Sequence, residues 1–319
     1  MSADHIYFNA EIEGGEADTI ARYDETRAQP LINRMNEYEV SMVRFYLPTQ
    51  NIPILLWKDN YWQVSLQLGN NVYSKFLTFV PNTTQPSVYG NAVWSYQYFI
   101  DRVNDAYTEA YNSLVSAEGA VPGITKAPYF TFDSKDELFT LVAEQAYDIK
   151  ANPNTIKVQM NQYLYNYFSG FQVTDDSSAV FSPTKYRFVI KDNYNNVFLG
   201  NINLKQEYST LSVWYDCKKI RFVTNLPVTK EQLSNSGNSQ ESIIFDYNFD
   251  IESFQTALLY LPDGPRRWYS LESSDSLYNL SFDVYWIDRD DKKYRVYVPA
   301  SNTLTFKIYF RKRILFMLE

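Results

Sequence analysis

The sequence predicts an all-β-dominated protein, a sandwich or barrel, on three observations. Beyond Pro183, nine short segments rich in β-branched and aromatic residues follow at roughly ten-residue spacing, separated by Asn, Asp, Ser, Gly and Pro. Several alternate apolar and polar residues with period two, the mark of a strand with one buried face. Helices do not alternate with these segments, which excludes a doubly wound α/β fold, and no self-similar repeat argues for a propeller or solenoid. With 319 residues, 45% hydrophobic and 21% charged, the chain is long enough for one large domain or two ordinary ones with a sizeable core.

Taken in order, residues 1–20 show little periodicity and read as a flexible acidic arm, leaving 21–319 as the folded part, with sub-boundaries near 175–183 and 234–241 where TDDSSAVFSPT and SNSGNSQES are polar. YEVSMVRFYLP is a strand ending at Pro48, and IPILLW follows after a turn. Trp62, Val64, Leu66 and Leu68 oppose Gln63, Ser65 and Gln67 in a half-buried strand, and YSKFLTFVP, residues 73–81, is its hairpin partner across Asn70 and Asn71. Residues 94–115 form an amphipathic helix with Tyr96, Phe99, Val103, Tyr107, Ala110 and Leu114 on one face. A second helix is predicted over about 156–169, after Pro153 and before Gly170, with Met160, Tyr163, Leu164, Tyr167 and Phe171 as its buried stripe. The strands YRFVI, NVFLGNINL, LSVWYD, KKIRFVTNLPV, SIIFDYNFD, TALLYLP, LYNLSFDVYWID, KKYRVYVP and TLTFKIYFRKR complete the chain. Leu280, Phe282, Val284 and Trp286 alternate in one of them, and Leu304, Phe306, Ile308 and Phe310 in another.

The composition excludes much chemistry. His5 is the only histidine, so a Ser/His/Asp or Cys/His constellation has one imidazole to draw on, in the arm. Cys217, alone, builds neither a disulfide nor a thiolate zinc site, and reads as a small buried hydrophobe. Neither GxGxxG nor GxxxxGK occurs, and no HExxH or calcium-loop pattern is present, so no cofactor or metal is expected. No run of eighteen apolar residues and no signal-peptide pattern occurs, so the sequons at Asn82 and Asn279 read as chance matches.

Charge is uneven within a formal net of −8. Residues 1–40 hold nine acidic side chains against Arg22, Arg27 and Arg34, whereas Lys307, Arg311, Lys312 and Arg313 face only Glu319 in the last fifteen residues. An acidic beginning and a basic end imply head-to-tail contact between subunits or an anionic surface facing one end, against a solvated arm and strand end. The acidic whole-chain balance opposes a dedicated DNA-binding protein. The surplus of 28 Tyr and 21 Phe suits subunit interfaces, sugar-stacking faces or the rims of β cores.

The opening YDETRAQPLINRMNEYEVSMVRFYLPTQNIPILLW, the closing YLPDGPRRWYSL, LYNLSFDVYWIDRDDKKYRVYVP and LTFKIYFRKR, and the intervening FIDRVNDAYTEAY, APYFTFD and VQMNQYLYNYFSGF resemble the minor capsid (penton) proteins of polinton-like viruses and virophages. The likeness runs from about residue 22 to 313. It implies a single jelly-roll β-sandwich with additional strands and two inserted amphipathic helices, forming homopentamers at the fivefold vertices of an icosahedral capsid beside double jelly-roll major capsid trimers. A host-cell receptor stands as a further partner. The resemblance implies a virion protein assembled inside the host cell, not an enzyme, with no active-site residues to carry over. Ser2 to Asp18 and the basic end Lys307, Arg311, Lys312 and Arg313 are the candidates for contacts in the shell, with packaged genome as the other surface the basic end could face. Two readings compete: a carbohydrate- or receptor-binding sandwich stacking sugars on Trp57, Trp62, Trp214 or Trp268, and a carboxylate-only glycoside hydrolase using residues such as Asp246, Asp250, Asp283 and Asp288.

Overall fold

Alternation makes the strands of this chain. In Asn279–Ile287, Leu280, Phe282, Val284 and Trp286 are buried between more accessible neighbours, and Thr303–Lys312 repeats the pattern with Leu304, Phe306, Ile308 and Phe310. The computed structural model describes residues 4–81, 89–175, 185–193, 196–228, 242–248, 257–262 and 264–313. The chain divides into one unit comprising Met1–Pro53 and Asp216–Glu319 and a second comprising Ile54–Tyr215, inserted in sequence between the two parts of the first. The division falls at 53/54 and 215/216; the sequence-read boundaries near 175–183 and 234–241 lie, Asp175 apart, outside the described residues.

The first unit is a jelly-roll sandwich of two antiparallel sheets. One runs in the order His5–Glu13, Thr303–Lys312, Tyr38–Pro48, Ala257–Tyr260, with Tyr269–Ser270 also paired to Tyr38–Pro48. The other runs Ile243–Asn248, Lys219–Thr224, Asn279–Ile287, Lys293–Arg295, with Arg22–Thr26 also along Asn279–Ile287. Aromatic rings fill the space between them. Phe45 meets Phe222 and Tyr247 at centroid distances of 5.2 and 5.3 Å, and Phe306 meets Phe222 and Phe282 at 5.6 and 5.0 Å. Much of the aromatic surplus therefore serves the core, where tilted and edge-on rings pack favourably.

The expected flexible arm is corrected here. His5–Glu13 is a strand in unbroken register with Thr303–Lys312, and Phe8, Ala10 and Ile12 turn into the core. The period of two was present, but its inward set includes only a methyl group at Ala10 between Phe8 and Ile12, which weakens the apolar side of the pattern. Thr19–Ile20 then pairs with Tyr297–Val298.

The second unit is organised around one helix, Tyr96–Glu118. Ser95 caps it, its Oγ accepting from Tyr98 N at 3.1 Å, and Gly119, at φ +82°, ends it with a backbone conformation that favours glycine. Phe99, Ile100, Val103, Ala106, Tyr107, Ala110 and Leu114 are buried. The helix packs on Gln63–Leu68, Asn71–Phe76 and Tyr129–Asp133. The first two belong to a five-stranded sheet ordered Val173–Asp175, Lys185–Phe188, Lys157–Asn161, Gln63–Leu68, Asn71–Phe76. The third belongs to a four-stranded sheet ordered Val197–Phe198, Asn201–Lys205, Leu138–Glu144, Tyr129–Asp133. The contiguous hydrophobic cluster beneath them is drawn from Ile54 to Trp214.

Five expectations change in this unit. The helix predicted over 156–169 is mostly a strand: Lys157–Asn161 pairs with Gln63–Leu68 and Lys185–Phe188, and only Gln162–Tyr165 is α-helical, followed by a 3-10 turn at Asn166–Phe168. Asn161 sets the change, its Oδ1 accepting from Leu164 N at 3.1 Å as a helix cap. Met160, Leu164 and Phe171 of the proposed stripe are buried, but Tyr163 is exposed. LSVWYD holds a 3-10 turn at Leu211–Val213, not a strand, and NVFLGNINL is a hairpin, Val197–Phe198 against Asn201–Lys205, turning at Leu199 and Gly200 with φ of +51° and +75°. The Gln63–Leu68 strand is buried on both faces, Ser65 included, and its hairpin turns at Gly69 and Asn70, since Leu68 pairs with Asn71.

Phe222→Ala, which opens a cavity between the two sheets, is expected to cost about 3–5 kcal/mol. Ser95→Ala, which removes a single helix cap, is expected to cost about 1 kcal/mol. Urea unfolding of each variant against wild type, followed by circular dichroism, checks both the size and the order of the two effects.

Candidate functional site

The basic end lies along the last strand of the first unit. In Thr303–Lys312 the even positions face the core, so Lys307, Tyr309 and Arg311 face outward, with Arg313 following just beyond the strand. Register sets their neighbours: Lys307 lies between Asn9 and Arg44, Tyr309 between Tyr7 and Ser41, and Arg311 between His5 and Glu39. A β-bulge between Lys307 and Ile308 restores Phe45 to the core side and keeps Arg44 and Tyr46 outward.

These outward residues form a packed aromatic and cationic layer. Tyr7 and Tyr309 stack at 4.3 Å with planes 10° apart, and Trp268 meets Tyr309 edge-on at 5.1 Å. The Arg311 guanidinium lies 3.8 Å above the Trp268 ring and pairs with Glu39 through its Nε. The Arg266 guanidinium sits 5.6 Å above Tyr309, and Lys307 Nζ 4.6 Å from the Tyr7 ring. His5 Nδ1 hydrogen-bonds to the Tyr309 hydroxyl. Burial pushes the Tyr309 phenol up, and Tyr7 adds to this, while Arg311 and Arg266 oppose it. Lys312 Nζ is 3.5 Å from Glu37 Oε2, and Arg313 N donates to Glu37 O at 2.7 Å. Beside this layer opens a recess of about 730 Å³ lined by Asp4, His5, Glu39, Ser270, Tyr309, Arg311, Lys312 and Arg313.

The structure thus brings Arg311, Lys312 and Arg313 together at one recess and sets Lys307 further along the same face. Their acidic neighbours, Glu37 and Glu39, come from the acidic beginning of the same chain. Sequence reasoning included His5 and Tyr7 only as part of the Ser2 to Asp18 segment and missed Glu39, Arg266 and Tyr309 as members of the cluster. The alternation of residues 303–312 carried the signal for Tyr309; His5, Tyr7 and Glu39 join it by pairing across the sheet, and Arg266 by lying over the Tyr309 ring, neither of which spacing reveals.

Other candidates resolve differently. Trp57, Trp62 and Trp214 are buried, so they offer no ring to a sugar, and Trp268 is covered on one face by Arg311. Asp246 takes both Arg221 Nε and Nη2, at 2.8 and 2.9 Å, and Asp283 lies 3.4 Å from Arg295 Nη1. Asp288 accepts the Asp290 and Lys292 amides and the Tyr294 hydroxyl, closing its own turn. Asp250, Ser2 and Asn82 lie outside the described residues, and Asn279 opens a strand. Among the described residues no group of three or more His, Cys, Asp or Glu could hold a metal, and no helix is long and apolar enough to cross a membrane. Cys217 is buried, and burial pushes its thiol well above the ordinary range, with Asp216 adding to the shift.

The first unit is thus a jelly-roll sandwich interrupted in sequence by a large insertion, with stacked tyrosines and cations on an outward face. The family of the Sputnik minor capsid protein V18/19 matches residues 6–312, and the chain belongs to that family. It is 26% identical over 209 residues to structural protein V19 of Sputnik virophage, across 58% of this chain and 94% of that one. It is 30% identical over 129 residues to the uncharacterised protein V18 of the same virophage, across 32% of this chain and 74% of that one. Among solved structures, it is similar to a chain of the Sputnik virophage particle (TM-score 0.82, 25% identity, 97% of this chain and 98% of that one). It also shares the fold of the mavirus penton protein (TM-score 0.76, 14% identity, 98% of this chain and 100% of that one). The chain is a structural minor capsid protein of the virion.

The buried, proton-holding thiol of Cys217 is expected to resist a disulfide reagent such as Ellman's in the native protein and to react fully once urea unfolds the chain. Equal rates in the two states would show that the first unit opens around it.

Proposed function

We propose that this minor capsid protein is the penton: a homopentamer at the fivefold vertices of an icosahedral capsid, seated among double jelly-roll major capsid trimers. The observation that supports it most is the match over 97% of this chain to a chain of the Sputnik particle, joined by the whole-length likeness in fold to a protein named as a penton. A closed ring of five asymmetric subunits needs heterologous contacts, one patch meeting a different patch of the neighbour. Exposed rings away from the Thr303–Lys312 face, such as Tyr278 at 45% exposure, offer material for such contacts, since tyrosine suits interface cores. The sugar-stacking alternative is weakened, because three of its four tryptophans lie in the core.

Light scattering behind size exclusion tests the reading. A particle of five times the 37.4 kDa chain mass is expected, either for the protein alone or on adding the major capsid protein. A chain that stays monomeric under both conditions overturns it.

A further inference from the structure

We propose that the outward face of the Thr303–Lys312 strand is a binding site for a single-stranded nucleic acid, gripped through its phosphates without regard to sequence. The inference starts from a local excess of cations on a protein whose formal net charge is −8. Lys307, Arg44, Arg266 and Arg313 all belong to this face or its rim, and among the described residues none of them pairs with a carboxylate. Arg311 and Lys312 are paired, with Glu39 and Glu37; Asp4 is the further acid at the recess, and Glu11 and Glu13 lie on the same face towards the other end of the strand, so the cations dominate only from Lys307 to Arg313. The positive charge that lacks a partner is therefore spread along the strand.

Geometry gives that charge a direction. Lys307, Arg311 and Arg313 lie on one face of an extended backbone, four and then two residues apart, so the row runs about 20 Å from end to end. A row of cations along a groove follows a polymer of phosphates better than a compact anion. Each phosphate neutralised releases counterions, and binding strengthens accordingly.

Rings stand between the charges. Tyr7, 53% exposed and backed by the buried Tyr309, is the ring open to a base, while Trp268, under the Arg311 guanidinium, holds that cation in place. Alternating cations and aromatic rings are what a sequence-indifferent single-strand groove requires, because every base has a face that stacks. The recess of about 730 Å³ at the Arg313 end provides depth for a displaced base or phosphate beside Ser270 and His5. A sulfated glycan would use the same cations, but the flat ring of Tyr7, 53% exposed, matches a planar base more closely than a puckered sugar ring, so nucleic acid is the occupant favoured here.

The test is fluorescence polarisation of a labelled single strand of about 20 nucleotides, longer than the usual site, titrated with the full chain across a salt series. Binding is expected at low salt and is expected to weaken steeply as salt rises. The combined Lys307→Gln, Arg266→Gln and Arg313→Gln variant should lose at least about tenfold in affinity and flatten the salt slope by about 2. Tyr7→Ala should weaken binding several-fold without altering the slope. Lys307→Arg with Arg313→Lys, which keeps the charges, should bind as wild type and guards against misfolding as the cause. Absence of binding at low salt, wild-type binding by the Gln variant, or heparin captured through these residues while the single strand is not, would each overturn the proposal. The particle mass is read separately, so loss of nucleic-acid binding leaves the pentamer reading standing.

Discussion

The first unit depends on one hydrogen-bonded ladder, in which the strand Thr303–Lys312 lies between the chain's first strand and Tyr38–Pro48. His5 pairs with Arg311 and Thr305 with Tyr46, so residues about as far apart as the chain allows are neighbours. Closing so long a loop costs entropy that rises only slowly with its length, and many pairs formed together offset it. Such non-local pairing makes folding slow, because the central strand of the sheet is supplied last. The same ladder draws the acidic start and the basic end together. Glu37 and Glu39 reach Lys312 and Arg311, so the two charged termini that the sequence shows as opposites become one partly neutralised surface.

Legibility in the sequence followed the strength of alternation. Asn279–Ile287 and Thr303–Lys312 place large apolar residues at every second position and were readable without knowledge of a partner. Lys157–Asn161 was not, because Met160 also falls at helical spacing with Tyr163, Leu164, Tyr167 and Phe171, and only the pairing with Gln63–Leu68 decides in favour of a strand. LSVWYD failed for a related reason: Trp214 is wholly buried by rings from elsewhere in its unit, among them Phe139 and Phe99, so its environment owes nothing to a strand. The two-unit division escaped as well, since no shift in composition marks residues 53 or 215.

At the candidate site, charge was legible and geometry was not. Lys307, Arg311, Lys312 and Arg313 announce themselves by type, but whether each has a partner depends on Glu37 and Glu39, some 270 residues away in sequence. Tryptophan misled in the opposite sense. A large ring with one polar atom serves a sugar-binding surface and a protein core equally well, and only packing shows that Trp57, Trp62 and Trp214 belong to the core. The resemblance to a capsid family supplied what these local signals lack, because strands, turns and aromatic positions spread over most of the chain constrain the fold jointly.

The second unit's hydrophobic cluster is built from Ile54 to Trp214 alone, and that stretch enters and leaves the first unit at two points only. Natural selection can therefore act on it as a cassette. Among the described residues, every ladder of the jelly roll is formed by strands of the first unit alone. A lineage built this way can hold its shell architecture constant while the inserted piece diverges quickly, so the two parts of one gene are expected to evolve at different rates.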